Sequence, residues 1–494
     1  MDQDFHYYGT HAAALTAGVP AGQATRLAKA ANYVDFLNET RTRGYWRLIF
    51  KGPDGKPRVT GRWNSPRYTF QNNMSGTGFA PAIGLWQSFH FLPGNYLDND
   101  LTVGQVDFNV SHAGWFATQA AASKLPVHHT RPADTACKNR KLLTRPLSAA
   151  SRALVMDSAT IWNDDAAAED ILLCSPAAKY LLPRKASTHQ AILTRFKEMV
   201  VGVRAHVIAD TWAHQDFAGL NDQYLNTYYD ASGNFCLRPG GQDILLDTGM
   251  GRGFETTHLW GVRSGSNLVG APGTAALGHG WMGHLPDMSW IQYRYIPSWS
   301  KDKKWVITRN NRQTYIDAFH DLVNYFQKVL RKSDQLPEAS KITKAKKCIG
   351  EPLDLKVHWG KGRPFHVHSA EIWRSSSLCS GVPQIDTCKE PSKAADMQGK
   401  ITTTLGASKG SYGTYSLEMT NDLPGHDDED RIPDMFLFQI AADYHLIFIK
   451  TWLESNKISD FSKDSWATDE CVLCLPAVED IVRERFTTLN KPRP

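Results

Sequence analysis

The sequence predicts a mainly α protein: a helical core with long irregular loops and a small accessory insertion. Three observations lead there. Segments 9–37, 188–215, 314–329 and 433–454 carry apolar residues at spacings of three and four, the pattern of helices with one face turned to a core. The stretches between them, above all 218–275, are rich in Gly, Asn and Thr, which favour turns and interrupt regular structure. No internal repeat and no long low-complexity tract is present, which sets aside solenoids and disordered arrays.

Each element has its own justification. Gly18-Val19-Pro20 divides 9–37 into two helices, since Gly tends to close one helix and Pro to open the next. Residues 41–75 hold Gly, Pro and alternating aromatics such as Trp46, Trp63 and Tyr68, and read as loops and short strands. A helix is expected over 148–162 and a long one over 188–215. In 314–329, Tyr315, Phe319, Leu322, Val323 and Phe326 form one stripe. Residues 335–425 are rich in Lys, Ser, Gly and Pro, and helices over 433–454 and 476–486 close the chain. The expected organisation is a metal-dependent catalytic helical domain over 1–334, an insertion or accessory subdomain over 335–430, and C-terminal helices over 431–494 packing on the core.

Composition narrows the class. The 494 residues suffice for one large domain or two to three ordinary ones. Apolar content of 42% with 21% charged residues describes a folded globular chain. A net charge of +5 is small for this length, so neither a long basic track nor a stable nucleic-acid complex is expected. Met1-Asp2-Gln3-Asp4 is acidic and no apolar signal core follows, so synthesis in the cytoplasm without a cleaved signal peptide is expected. The apolar stretch 435–453 carries Asp443, His445 and Lys450, and reads as a buried helix. Cys471-Val-Leu-Cys474 lacks the second pair of a structural zinc site, and Cys379 with Cys388 is a candidate pair only in an oxidising compartment. The acidic run 427–430 lacks the spacing of a calcium loop and reads as a solvated turn.

The chemistry concentrates in Arg204-Ala-His-Val-Ile-Ala-Asp-Thr-Trp-Ala-His214. His206, Asp210 and His214 recur every four residues, which lines them along one stripe of a helix. The ends of that stripe lie roughly 12 Å apart at helical rise. One ion with bonds of about 2 Å cannot span it, so the spacing suits two or more metals with Asp210 between them. A lone His-x3-Asp would be weak, because helix histidines are often only hydrogen-bonded. A second cluster, Leu277-Gly-His-Gly-Trp-Met-Gly-His-Leu-Pro-Asp287, adds His279, His284 and Asp287 where glycines let the backbone bend. His6 with Asp4 and His11, Asp35 after the first helices, and His90 in Ser88-Phe-His-Phe-Leu-Pro-Gly94 complete the set.

In chain order His6, Asp35, His90, His206, Asp210, His214, then His279, His284 and Asp287 resemble the ligands of the zinc-dependent phospholipase C and P1 nuclease superfamily. The resemblance is one of ligand order over residues 1–290. It implies a mostly helical core around a zinc cluster, with Asp210 bridging and His284–Asp287 as the last pair, His279 competing for the His role. Those enzymes use a processed N-terminal residue as a ligand. Here that position is expected to be missing or replaced by Asp4, His6 or His11, and a two-metal site is the variant. The chain also resembles a bacterial domain family without assigned function that shares Asp-x-His-Tyr-Tyr-Gly, Tyr-Val-Asp, His-Phe-x-Pro-Gly, Ala-Asp-Thr-Trp-x-His-Gln and Gly-His-x3-Gly-His-x-Pro-Asp, read here at Asp4–Gly9, Tyr33–Asp35, His90–Gly94, Ala209–Gln215 and Gly278–Asp287. Its members imply a toxin exported by a contact-dependent secretion system, with an immunity or secretion-apparatus protein as partner.

The resulting expectation is hydrolysis of a phosphodiester by two or three Zn2+ ions, Mn2+ or Fe2+ being tolerated by the mixed N/O set. Asp210 or Asp35 is the catalytic base, Arg204 and Trp281 contact substrate, and Asp216 orients a ligand His from outside the cluster. Trp212 and Trp260 are further candidates for the pocket wall. A phospholipid surface is favoured over nucleic acid, because fifteen Trp suit a lipid interface and the charge does not suit a polyanion. A P1-type nuclease and a non-enzymatic binding or delivery module with structural metals are the alternatives. No His-Glu-x-x-His and no Gly-x-Ser-x-Gly occurs, which argues against an ordinary zinc peptidase or serine lipase.

Overall fold

The computed structural model describes residues 1, 4–35, 47–51, 57–59, 79–94, 142–175, 178, 186–220, 223–226, 228–229, 245–246, 277–280, 282, 285–290, 292–297, 307–331, 339–350, 353, 416–419, 434–456, 458, 480–483 and 485. These residues are mainly helical. A π-helical turn, Asp4–Gly9, runs directly into α1 (Thr10–Thr16), and α2 (Ala21–Tyr33) follows. Then come β1 (Arg47–Lys51), β2 (Pro57–Val59), α3 (Phe79–Phe89), α4 (Ala149–Asn163), α5 (Asp165–Leu173) and the long α6 (Ala186–Ala213). After it stand α7 (Gln223–Asn226), β3 (Tyr228–Tyr229), β4 (Leu245–Leu246), β5 (Gln292–Pro297) and β6 (Ile307–Asn310). The chain continues with α8 (Asn311–Leu330), α9 (Ala339–Ile349), β7 (Ser416–Met419) and α10 (Asp434–Ser455).

Helix α6 is the axis of the molecule. From Phe196 to Ala213 every residue is buried, Lys197, Glu198, Arg204, His206 and Asp210 included, so this helix faces core all round and not on the single face its spacing predicts. Val200, Val203 and Val207 pack into a core shared with α3, α4, α5 and α10. Val201, Ala205, Ile208 and Trp212 pack into a second core shared with α1, α2 and α8. Each fully buried Val, Leu, Ile or Phe contributes about 1.5–3 kcal/mol. The α2–α6 contact depends on Gly202: a Cβ there would lie 2.6 Å from Ala30 Cβ and 2.8 Å from Leu27 O. This close approach sets the end of α2, with Asp35 just beyond it, against the middle of α6.

Local chemistry fixes several helix starts. Ser148 Oγ accepts from Ser151 N (3.2 Å) at α4, Asp164 from Ala167 N (3.0 Å) at α5, and Asn310 from Gln313 N (3.2 Å) at α8, as N-caps should. The expected break at Gly18-Val19-Pro20 is present, with Pro20 capping α2. The helices expected over 148–162, 188–215, 314–329 and 433–454 appear as α4, α6, α8 and α10. Among the described residues the structure adds helical elements the spacing does not predict: the π turn ahead of Thr10, α3, α5, α7 and α9.

Strands are few. β1 pairs antiparallel with β2 and parallel with β7, placing Leu48 opposite Leu417. β5 pairs with β3, β4 and β6, with Tyr293 opposite Arg309. Within 335–430, α9 packs on α8 and α1, and β7 attaches to β1. α10 packs along α6, and residues 480–483 and 485 are helical. No described helix is long and apolar enough to cross a membrane. The cysteine pairs at 379/388 and 471/474 and the acidic run 427–430 lie outside the described residues.

Candidate metal centre

The His206–Asp210–His214 stripe lies on α6 and its last turn, where His214 N still bonds Asp210 O (2.8 Å). The backbone fixes the two ring orientations. His206 Nδ1 faces Ala31 O at 2.9 Å, and His214 Nδ1 faces His90 O at 2.8 Å. A carbonyl oxygen only accepts, so each Nδ1 carries the proton and each Nε2 presents a lone pair. Those lone pairs point at carboxylates: His206 Nε2 at Asp210 Oδ2 (3.1 Å), His214 Nε2 at Asp287 Oδ1 (2.9 Å).

The local electrostatics disfavours a second proton on either imidazole. Burial pushes His206 well below the usual imidazole range and lowers His214 as well. Burial alone would raise Asp210, but His214, the Met1 amine, His206 and His6 hold it well below the usual carboxylate range. Asp287 is lowered in the same way, its burial outweighed chiefly by His279 and the Met1 amine. Neutral imidazoles facing ionised carboxylates repel unless a cation lies between them.

Among the described residues, three groups of side chains could hold a metal ion: His6, Asp35 and His206; His90, His206 and Asp210; and His214, His279 and Asp287. The first two share His206 and form one buried cluster. In it His206 Nε2, His90 Nδ1 and Asp210 Oδ2 stand 3.1, 3.2 and 3.3 Å apart pairwise. Two ligands on a tetrahedral ion with bonds of about 2.0 Å are about 3.3 Å apart, so these three atoms trace one face of such a tetrahedron. His6 adds a second sign. It is fully buried, burial pushes it down to about 4, and its Nδ1 has no hydrogen-bond partner among the described residues. Its Nε2 lies 3.0 Å from Asp210 Oδ1. Asp35 is the open member, 26% exposed, with Oδ2 3.7 Å from His6 Nε2 and Oδ1 3.8 Å from His90 Nδ1.

The third group lies one helical turn on. His279 Nε2 is 3.3 Å from Asp287 Oδ2, and both side chains are 14% exposed. Asp210 stands between the clusters: Oδ2 faces His90, His206 and, at 3.6 Å, His214 Nδ1, while Oδ1 faces His6. The Met1 amine occupies the space between them, 2.5 Å from Asp210 Oδ1, 3.1 Å from His214 Nε2 and 3.2 Å from Asp287 Oδ1. Burial would lower this amine, yet Asp210, Asp287 and Asp35 push it up to about 11. A positive charge is thus favoured where the carboxylates converge.

Several expectations need correction or placement. The Met1 nitrogen lies among the candidate ligands, against Asp210 and His214, and His6 is a member of one candidate group. Asp4 accepts from Ser289 Oγ (2.8 Å), and His11 lies against Thr25 Oγ1 (3.3 Å), outside all three groups. Arg204 does not reach the centre. It is fully buried 2.7 Å from Asp157, and its guanidinium lies over the Tyr444 and Phe448 rings. Asp216 holds Arg145 and Arg309 rather than a ligand imidazole. Trp212 donates Nε1–H to Asp321 Oδ2 (3.0 Å) inside the core. His284, Trp260 and Trp281 lie outside the described residues. The orienting carbonyls of Ala31 and His90 had no signal in the sequence, because every residue carries one.

No curated protein and no solved structure matches the chain. A family model does, over residues 1–451: the chain belongs to the family of unknown function DUF6765.

Proposed function

We propose that the protein is a metal-dependent phosphodiester hydrolase of phospholipase C type, with zinc held by the two clusters that meet at Asp210. The observation that carries this reading is geometric: His206 Nε2, His90 Nδ1 and Asp210 Oδ2 face one another at the spacing of ligands on a tetrahedral ion. The order of the ligands along the chain, which resembles that of zinc-dependent phospholipases C and P1 nucleases, supports the reaction class. Bound zinc would acidify a water and draw charge from the non-bridging oxygens of a phosphodiester. Mn2+ or Fe2+ suits the same mixed donor set.

The chain's own groups divide the remaining work. His90, His206 and Asp210 hold one ion, and His214, His279 and Asp287 the other. Asp210 is 1% exposed and engaged through both oxygens, which suits holding. Asp35 is the carboxylate open to solvent in the buried cluster, which makes it the better general base for a water's proton. A phospholipid is the favoured substrate, since +5 over 494 residues offers no long basic track. Export by a contact-dependent system and neutralisation by an immunity protein extend this proposal.

The test uses protein stripped by chelation, then reloaded with zinc. Phosphatidylcholine vesicles and single-stranded nucleic acid are offered in parallel. The expected result is no hydrolysis without metal and preferential release of the lipid's phosphorylated head group with it. Preferential cleavage of nucleic acid would turn the reading toward a P1-type nuclease. Zinc-loaded protein inert toward every diester would contradict it.

A further inference from the structure

We propose that Asp216, gripped by Arg145 and Arg309, is the positioning residue of the His214–His279–Asp287 group and sets its metal affinity separately from that of the buried cluster. The inference rests on the metal reading above. Asp216 directly follows the last turn of α6 and has φ +78°; Leu147 is the other non-glycine with positive φ among the described residues. Asp tolerates this left-handed conformation better than most residues do. Its carboxylate accepts from Arg309 Nη2 at 2.5 Å and from Arg145 Nη1. All three residues are buried. A fork of two guanidiniums on one carboxylate fixes direction as well as distance.

Each ligand of that group is tied back to this clamp within a few residues. His214 lies two positions before Asp216, and Arg309 Nη2 also donates to Gln215 O between them. Thr144, next to Arg145, accepts from Asp216 N (3.2 Å) and donates to Phe217 O (2.7 Å). Ala218 O then accepts from Gly278 N (3.1 Å), beside His279. Arg309 stands two residues before Asn311, whose Nδ2 donates to Leu285 O and Met288 O at 2.8 Å each, on either side of Asp287. Tyr315 Oη donates to Asp287 O itself (2.9 Å). The buried cluster is held differently: His206 and Asp210 sit inside α6, His6 in the π turn and Asp35 beyond α2. Asp216 is gripped by Arg145 and Arg309 and acts on the ligands through the backbone segments it joins.

Titration of full-length chelator-stripped protein with Co2+, followed by its visible bands and by calorimetry, tests this. His279→Ala identifies which binding step belongs to the second group. Asp216→Asn keeps an acceptor and tolerates the same φ but removes the charge. Its expected effect is to weaken that step by about 10–100-fold and change its bands, with the other step intact. Should Asp216→Asn not fold, Arg145→Gln, which keeps one donor, takes its place with the same expectation. Both steps unchanged, or both weakened equally alongside a lower Tm, would overturn the positioning role. A wild type that binds no Co2+ would overturn the metal reading itself, and this inference with it.

Discussion

The cluster on α6 and the second group are made from the same residue types but held by different means. His206 and Asp210 are one turn apart on α6, fully buried, and ringed by α2, α3 and the π turn. Moving either means moving a helix against a close-packed core. His279 and Asp287 sit on turns, partly open to solvent, and hold position through backbone bonds to Ala218, Asn311 and Tyr315. A ligand set by core packing should bind tightly and exchange slowly. One set by loop anchors should be the first to empty and the easier to tune.

The largest expected break in that comparison is loss of a ligand from one side only. His279→Ala should remove one metal equivalent and leave the buried cluster loaded, whereas His206→Ala should empty the buried cluster. Elemental analysis after dialysis reads both, and loss of both equivalents from His279→Ala would mean the groups are not separable.

A smaller effect is expected at Gly278. It has φ +56°, and a Cβ there would collide with the Phe91 ring that stacks on His214. Gly278→Ala should therefore tilt His279 and weaken the second group by about 10-fold, read by Co2+ titration. Unchanged affinity would show that this loop absorbs the strain.

The smallest effect concerns the segment between the groups. Trp212 lies between Asp210 and His214 and donates to Asp321 (3.0 Å). Burial pushes the Asp321 carboxyl up to about 7, the Trp212 bond offsetting only part of this. Between pH about 4, where an unfolded Asp titrates, and about 7 the folded state holds a proton that the unfolded state has released. Stability from this group therefore falls as pH rises through that window. Asp321→Asn keeps the acceptor and removes the charge. It should raise Tm by about 1 °C per kcal/mol recovered at this chain length above pH 7, with the gain shrinking toward zero near pH 4. A gain independent of pH would assign the effect to packing.

What was legible follows the same division. The i, i+4 recurrence on α6 exposed the buried cluster, because helical period places those side chains on one stripe. The punctuation at Gly18 and Pro20 marked helix limits for an equally local reason. In the Gly-rich loop the sequence left His279 and His284 in competition, since glycine removes the periodicity that tells direction; the geometry brings His279 to Asp287. Arg204 was misread because nothing local marks it as buried: its partner Asp157 lies on another helix, α4.

The central claim is that two metal groups meet at Asp210. The most direct measurement is zinc content of wild-type protein and Asp210→Ala, reloaded and dialysed side by side, with folding checked by circular dichroism. The account predicts more than one equivalent in wild type and a loss of at least one in the folded variant. No bound transition metal in wild type, or an Asp210→Ala variant that keeps the full complement, would contradict it.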